Sequence, residues 1–334
     1  MSKIKKILFM MDKFRRDIQT PKQRYPLTEN VHSNDLKEYY FVFTVDRVSS
    51  GADQPLINKF DKNGIPINKT YIDVSEKEYV YFPISIGQLG LAVFHSYLNS
   101  NSDKDKNRFI NFCNWFADEK NFDYSEKLGV RWLTEVPLPQ YKNPGPWQSA
   151  FSQSRGQSIL TRGYQLTKDE NYRKIAEESL KSFEYPVSEG GVSSYTEFGP
   201  FYEEYTSSVP TLVLNGMMFA LFGIYDFVRA FPDNPKSRKL FDQGVETLAN
   251  ILPQYNMGFW SKYNLCEAEW YPKIDPATIQ YQRLHVAQLK VMKRITGNEI
   301  FDRYADIFSK QDSFLNAIKM YTVKYKALKK IGRL

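Results

Sequence analysis

Residues 284–310 read LHVAQLKVMKRITGNEIFDRYADIFSK: an apolar helix of 3.6-residue period, the polar turn Thr296-Gly297-Asn298-Glu299, then an amphipathic helix opened by Phe301. The same plan occurs three times upstream. Residues 85–101 (SIGQLGLAVFHSYLNSN) lead into 106–119 (KNRFINFCNWFADE). Residues 154–183 (SRGQSILTRGYQLTKDENYRKIAEESLKSF) carry the turn Thr167-Lys168-Asp169-Glu170 before Tyr172, and 215–231 (NGMMFALFGIYDFVRAF) precede 237–255 (SRKLFDQGVETLANILPQY). The units recur at roughly 50–70 residues, longer than tetratricopeptide or HEAT repeats. The excess sits in long Tyr-, Gly- and Pro-rich connections, 121–147, 185–208 and 254–278, each following the second helix of a unit. Such long connections inside a compact domain are usually functional. The predicted fold is mainly α, an α/α toroid: an incomplete barrel of about four helix hairpins whose loops gather at one mouth and build a cleft. A straight helical solenoid, the competing architecture, would lack a convergent site.

Upstream of the repeats the pattern changes. Residues 38–45 (EYYFVFTV) are rich in strand formers, and Asn63-Gly64 between two short apolar alternations in 56–74 predicts a hairpin. The expected division is a basic N-terminal segment over 1–30, a small β-hairpin region over 31–80, the toroid over 81–320 and a basic tail over 321–334. The apolar run from Ile7 to Met11 is too short for a secretory signal, and no stretch approaches a transmembrane length. The N-terminal segment reads as a frayed tail or as a basic amphipathic piece resting on a membrane surface. The stretch from Lys319 to Leu334 reads as a dimer element, a membrane-facing segment or a tail.

Composition narrows the partners. The 334 residues carry a formal charge of +7 and include 23 Tyr and 24 Phe, with 16% aromatic residues. Positive charge favours an anionic partner, and abundant rings suit a carbohydrate cleft, where they stack on sugar faces, or equally a large helical core. No RNP motif, zinc-finger spacing or basic zipper is present, which argues against nucleic acid. Cys113 and Cys266 are the only cysteines and are far apart, so no disulfide framework or cysteine-rich zinc site is expected. A reducing, cytoplasmic setting follows from that usage, with the lone sequon Asn68-Lys69-Thr70 as the one contrary sign. No dinucleotide fingerprint, P-loop, H-E-x-x-H or G-x-S-x-G occurs, so neither cofactor nor metal is expected.

Two clusters stand out as chemistry. Glu203 and Glu204 lie side by side among Phe201, Tyr202 and Tyr205 just before the third long helix, where burial and like charge would both oppose ionisation. Tyr281 and His285 open the fourth, one turn apart on one face. Taken alone, each reads more readily as a solvated acid pair or as core packing.

Four further stretches carry a family resemblance. They are Phe82 to Leu91; Gly145-Pro146-Trp147-Gln148-Ser149-Ala150 running through Gln153 to Arg162-Gly163-Tyr164-Gln165-Leu166-Thr167; Tyr202-Glu203-Glu204-Tyr205 with Val213-Leu214-Asn215-Gly216 and Gly223-Ile224-Tyr225-Asp226; and Tyr281, His285 and Gln288-Leu289. In order and spacing they resemble the catalytic domain of D-glucuronyl C5-epimerases over about residues 80–310. The resemblance implies inversion of D-glucuronate to L-iduronate within an anionic polysaccharide such as heparosan, with Glu204, Tyr205 and Tyr281 as proton-transfer groups. It further implies substrate contacts from Tyr263, His285, Asn215, Gln153, Arg162, Tyr202 and Trp147, and no cofactor. Tyr281 and Glu204 are expected to share one face of the sugar and Tyr205 the other. The chain departs from the family where a basic Tyr-Asp-Leu-Arg loop becomes Tyr263-Asn264-Leu265-Cys266 and an Arg-Trp-Asp becomes Thr278-Ile279-Gln280. A uronate lyase on the same fold, a non-catalytic glycan-binding protein and a helical scaffold are the alternatives.

Overall fold

A computed structural model describes residues 12, 14–49, 57–70 and 77–332. Four helix hairpins follow one another: α1 (Pro83–Ser100) with α2 (Asp103–Ala117), α3 (Ala150–Thr167) with α4 (Glu170–Glu178), α5 (Leu214–Ala230) with α6 (Pro235–Ile251), and α7 (Ile279–Thr296) with α8 (Glu299–Gln311). A further helix, α9 (Phe314–Lys330), closes the chain. The repeat units read from sequence are these hairpins, and their turns have the expected chemistry. Lys168 and Gly297 end α3 and α7 in the left-handed conformation, and the side chains of Asp169 and Asn298 then cap α4 and α8.

The first helix of each pair is the inner one. Every residue of α3 from Ala150 to Gly163, and of α5 from Leu214 to Arg229, is buried. A helix with no exposed face is surrounded on all sides, and the polar side chains of α3, among them Gln153 and Arg162, are buried with it. The second helices are amphipathic and turn one stripe inward, as with Phe301, Tyr304, Ala305 and Phe308 of α8. Inner helices pack in the order α1, α3, α5, α7.

The ends of that run, α1 and α7, are joined by residues 14–49, which form a strap rather than a tail. The side chain of Asp17 accepts hydrogen bonds from Gln280 of α7 (2.8 Å) and Tyr321 of α9 (3.0 Å). Arg283 donates to the Asp17 and Thr20 carbonyls, and Arg294 to that of Thr28. On the other side, the Tyr39 amide donates to His95 Nε2 of α1, leaving Nδ1–H to bond the Phe43 carbonyl.

Residues 38–45 are accordingly not a strand. They make a single bridge, Phe41 with Leu27, before a one-turn helix, Val45–Ser49. Tyr39, Tyr40, Phe41 and Phe43 are buried among the inner helices, so the strand-like composition served burial. The strap crosses the C-terminal ends of the inner helices: Tyr40 bonds Asp226, Arg162 bonds the Lys37 and Glu38 carbonyls, and Arg229 bonds those of Ser33 and Asn30.

The predicted hairpin is present as β1 (Ile57–Phe60) and β2 (Pro66–Lys69), with β3 (Tyr79–Val80) added antiparallel. Gly64 turns it at φ +77°, a conformation natural to glycine. Asn68 of the sequon is buried in β2 and bonds Ser85. Two long connections contain hairpins of their own, β4 (Asp123–Ser125) with β5 (Gly129–Arg131) and β6 (Ser193–Thr196) with β7 (Gly199–Tyr202). Residues 321–330 are not a tail but the second half of α9, where Lys324 pairs with Asp275 and Lys330 bonds the Glu269 and Tyr271 carbonyls. Among the described residues no helix is long and apolar enough to cross a membrane.

Candidate active site

The N-terminal ends of the inner helices surround a cavity of about 330 Å³. Glu204, Tyr205 and Asn215 form one wall, Tyr281 and Leu284 of α7 a second, Ile84 and Gln88 of α1 a third, and Phe151, Phe219, Phe41 and Phe43 the base. The connection before α5 and the N-terminal turns of the inner helices thus deliver the site, at the mouth opposite the strap crossing.

Glu203 and Glu204 are adjacent yet do different things. Both oxygens of Glu203 are consumed: Oε1 accepts from Ser194 and the Thr211 amide, Oε2 from the Thr211 hydroxyl and the Leu212 amide. This anchors the chain entering α5, where Leu212 adopts φ +49°. Glu204 is left for the cavity. Asn215 donates to its Oε2 at 3.0 Å, and Tyr205 hydrogen-bonds to it. Its side chain lies flat on the first turn of α5, where a Cβ on Gly216 would sit 2.3 Å from the Glu204 Cβ. Burial pushes the Glu204 carboxyl up from 4.5 to about 7, the two hydrogen bonds opposing that rise.

Phenols extend the site. Tyr205 also hydrogen-bonds to Tyr263, whose ring lies 5.0 Å from that of Tyr281. Burial raises the Tyr205 and Tyr263 hydroxyls well above the ordinary phenol value, so both are neutral donors at rest. The ring of Trp147 meets Tyr205 edge-on at 5.4 Å, and its own Nε1 is held by the Val136 carbonyl. Tyr141 stacks on Tyr205 at 5.4 Å and on Tyr271 at 5.3 Å. Tyr271 donates to Asp275, Asn264 donates to both Tyr271 and Tyr141, and Asp275 is paired with Lys324 at 2.6 Å. Tyr141, Tyr271, Asn264, Asp275 and Lys324 escaped the sequence reading. The Tyr content of the long connections was their only trace.

The structure brings Glu204, Tyr205, Asn215 and Tyr281 to the cavity, with Tyr263 and Trp147 directly behind Tyr205 and Tyr281. Glu204 is hydrogen-bonded to Tyr205 and to Asn215. The other four candidates lie elsewhere. Gln153 is fully buried and does not line the cavity, accepting from the Trp132 amide and donating to the Val130 and Ser179 carbonyls. Arg162 sits three turns down α3 in a buried ion pair with Asp226 at 2.6 Å. Tyr202 donates to the Leu240 carbonyl. His285 is fully buried beneath Tyr281, its Nδ1 3.0 Å from Ser261 Oγ. Because Ser261 donates to Gln282 at 2.5 Å, Nδ1 carries the proton, and burial lowers the imidazole to about 3, keeping it neutral.

Fold and site define an α/α toroid with an acid and several phenols converging at its loop-bearing mouth. The same fold occurs in cellobiose 2-epimerase from Bacillus thermoamylovorans B4167, with a TM-score of 0.50 at 10% identity, covering 68% of this chain and 58% of that one. The chain belongs to the D-glucuronyl C5-epimerase C-terminus family, whose profile matches residues 127–310. It is similar to D-glucuronyl C5-epimerase of Caenorhabditis elegans, 27% identical over 236 residues that make up 67% of this chain and 38% of that protein. An uncharacterized protein of Methanocaldococcus jannaschii is also 27% identical over 212 residues, 62% of either chain. This chain thus spans less than two thirds of the length of either relative.

Proposed function

We propose that the protein is a carbohydrate epimerase that inverts C5 of D-glucuronate to L-iduronate within an anionic polysaccharide. The observation that carries this reading is the convergence of Glu204, Tyr205 and Tyr281 on one cavity, with Glu204 poised at about 7 and hydrogen-bonded to Tyr205. Family membership and the name of the C. elegans relative support it.

C5 lies next to the uronate carboxylate, so its proton is acidic only if the resulting dianionic intermediate is neutralised. On the first face, Tyr205 takes the C5 proton as its own phenolic proton passes to ionised Glu204. The C–H electron pair moves into the carboxylate. On the other face, Tyr281 delivers its phenolic proton to C5, and solvent then restores Tyr281 and Glu204. Two proton-transfer groups reached from different inner helices suit a reaction that enters from one face and leaves by the other. Tyr263, bonded to Tyr205 and packed on Tyr281, orients both phenols.

The test is incubation of glucuronate-containing polysaccharides, heparosan first, in deuterium oxide. Deuterium at C5 together with new iduronate signals is expected, and absence of exchange on every uronate polymer tried would sink the reading. A lyase would share the first step but then eliminate the C4 substituent, giving an unsaturated product that absorbs in the ultraviolet.

A further inference from the structure

We infer that the outward face of α9 docks on an anionic phospholipid membrane and so sets the mouth of the toroid at the lipid surface. Among the described residues α9 is the only helix that turns large apolar side chains to solvent: Leu315 is 76% exposed, Phe314 60%, Ile318 45% and Tyr325 38%. Its buried side holds Ala317, Met320 and Ala327. The outward positions of α8 are instead Asp302, Arg303, Asp306 and Lys310, and those of α6 include Arg238, Lys239, Asp242 and Glu246. Scattered apolar residues on a surface are ordinary, whereas a contiguous cluster marks a binding surface.

Charge identifies the occupant. No acidic residue occurs in α9, and Lys319, Lys326 and Lys329 are exposed beside the apolar residues. Two acids that touch the helix or its start are neutralised, Asp275 by Lys324 and Asp312 by Arg283. Apolar side chains and lysines on one outward face are the make-up of a helix lying in a membrane interface. The apolar groups enter the boundary between headgroups and acyl chains, and the ammonium groups meet phosphates.

A second copy of the chain fits worse. Across a two-fold axis, antiparallel α9 helices would set the apolar first turns of one against the lysines of the other, and parallel ones would set lysine against lysine. A soluble polyanion would pair the lysines yet leave Phe314, Leu315 and Ile318 in water. The neighbouring sequence has the same character: Phe14 packs on Phe314 and Tyr321, and ahead of it the chain reads Lys3, Lys5 and Lys6, then an apolar run from Ile7 to Met11. The face also borders the mouth. The Asp312 carbonyl, two residues before Phe314, accepts from Lys22, and both Lys22 and Arg283 line the cavity.

The experiment floats the full chain with vesicles of phosphatidylcholine alone or mixed three to one with phosphatidylglycerol. It compares wild type with Leu315→Ser/Ile318→Ser and Lys326→Gln/Lys329→Gln. All four positions are exposed, so melting temperatures should stay at the wild-type value. Wild type is expected to float with the mixed vesicles, to ignore phosphatidylcholine alone and to be released by added salt. Each lysine near an anionic surface contributes about 5-fold to partitioning, so the lysine pair should weaken binding by about 25-fold. The serine pair should weaken it by about 10-fold or more. Wild type that floats with neither vesicle, or with both alike, overturns the inference, as does flotation that both double variants leave unchanged. Sedimentation equilibrium reports the rival occupant: a dimer that the double variants dissociate would assign the face to self-association and overturn docking on lipid. So would capture of a soluble glucuronate polymer, weakened by the lysine pair, by a protein that leaves vesicles alone. The vesicles carry no sugar, so failure of the epimerase reading would leave this result standing.

Discussion

The division of labour between two neighbouring glutamates is the sharpest statement at the level of single residues. Glu203 has every oxygen bonded to the chain before α5, whereas Glu204 keeps a carboxyl that burial holds at about 7 instead of 4.5. Folding therefore favours protonated Glu204, a stabilisation complete below pH 4.5 and lost as pH rises through 7. Glu204→Gln removes that titration. Urea unfolding should show the variant gaining stability over wild type from pH 5 to pH 8, and a difference independent of pH would contradict the assignment. The same titration sets catalysis: because Glu204 must be ionised to receive the Tyr205 proton, kcat/KM should rise through about pH 7. A flat profile would remove Glu204 from the proton path. Tyr205→Phe and Tyr281→Phe should each slow C5 exchange by about 10²- to 10⁴-fold, the usual worth of a positioned acid or base, with native far-ultraviolet circular dichroism retained.

Among the elements, α3 and α5 are buried along nearly their whole length, and their C-terminal halves are tied by the buried pair Arg162–Asp226, which also receives the Tyr40 hydroxyl. Breaking one partner of such a pair strands a charge and costs about 3–5 kcal/mol. Asp226→Ala should lose that much in urea unfolding, and Arg162→Leu/Asp226→Leu should recover part of it. Both variants should keep the wild-type KM, since the pair lies at the far end of the inner helices from the cavity. A raised KM at unchanged stability would instead return Arg162 to the substrate site.

For the molecule as a whole, the strap makes the toroid one cooperative unit. It bonds α1, α3, α5 and α7 at their C-terminal ends and contributes Tyr39, Tyr40, Phe41 and Phe43 to the main core. The Thr28 and Val42 amides, bonded to the Tyr40 and Pro26 carbonyls, should exchange with solvent only at the free energy of global unfolding. Exchange at the rate of a frayed end would break that picture.

The helix hairpins, their turns and the order of the inner helices were legible in the chain itself, because period, capping residues and apolar length are local properties. Glu204, Tyr205, Asn215 and Tyr281 were named through the family resemblance and not by local pattern, and all four line the cavity just before or near the start of an inner helix. Tertiary structure decided what local pattern cannot carry. It sent Gln153, Arg162, Tyr202 and His285 into structural bonds, because which side of an all-buried helix meets the cavity depends on its neighbours. It recruited Tyr141, Tyr271 and Lys324 from connections and from α9. It also turned the polar N-terminal stretch into a wall of the site, a consequence of the unpaired flanks that an open ring of helices leaves between its first member and its last.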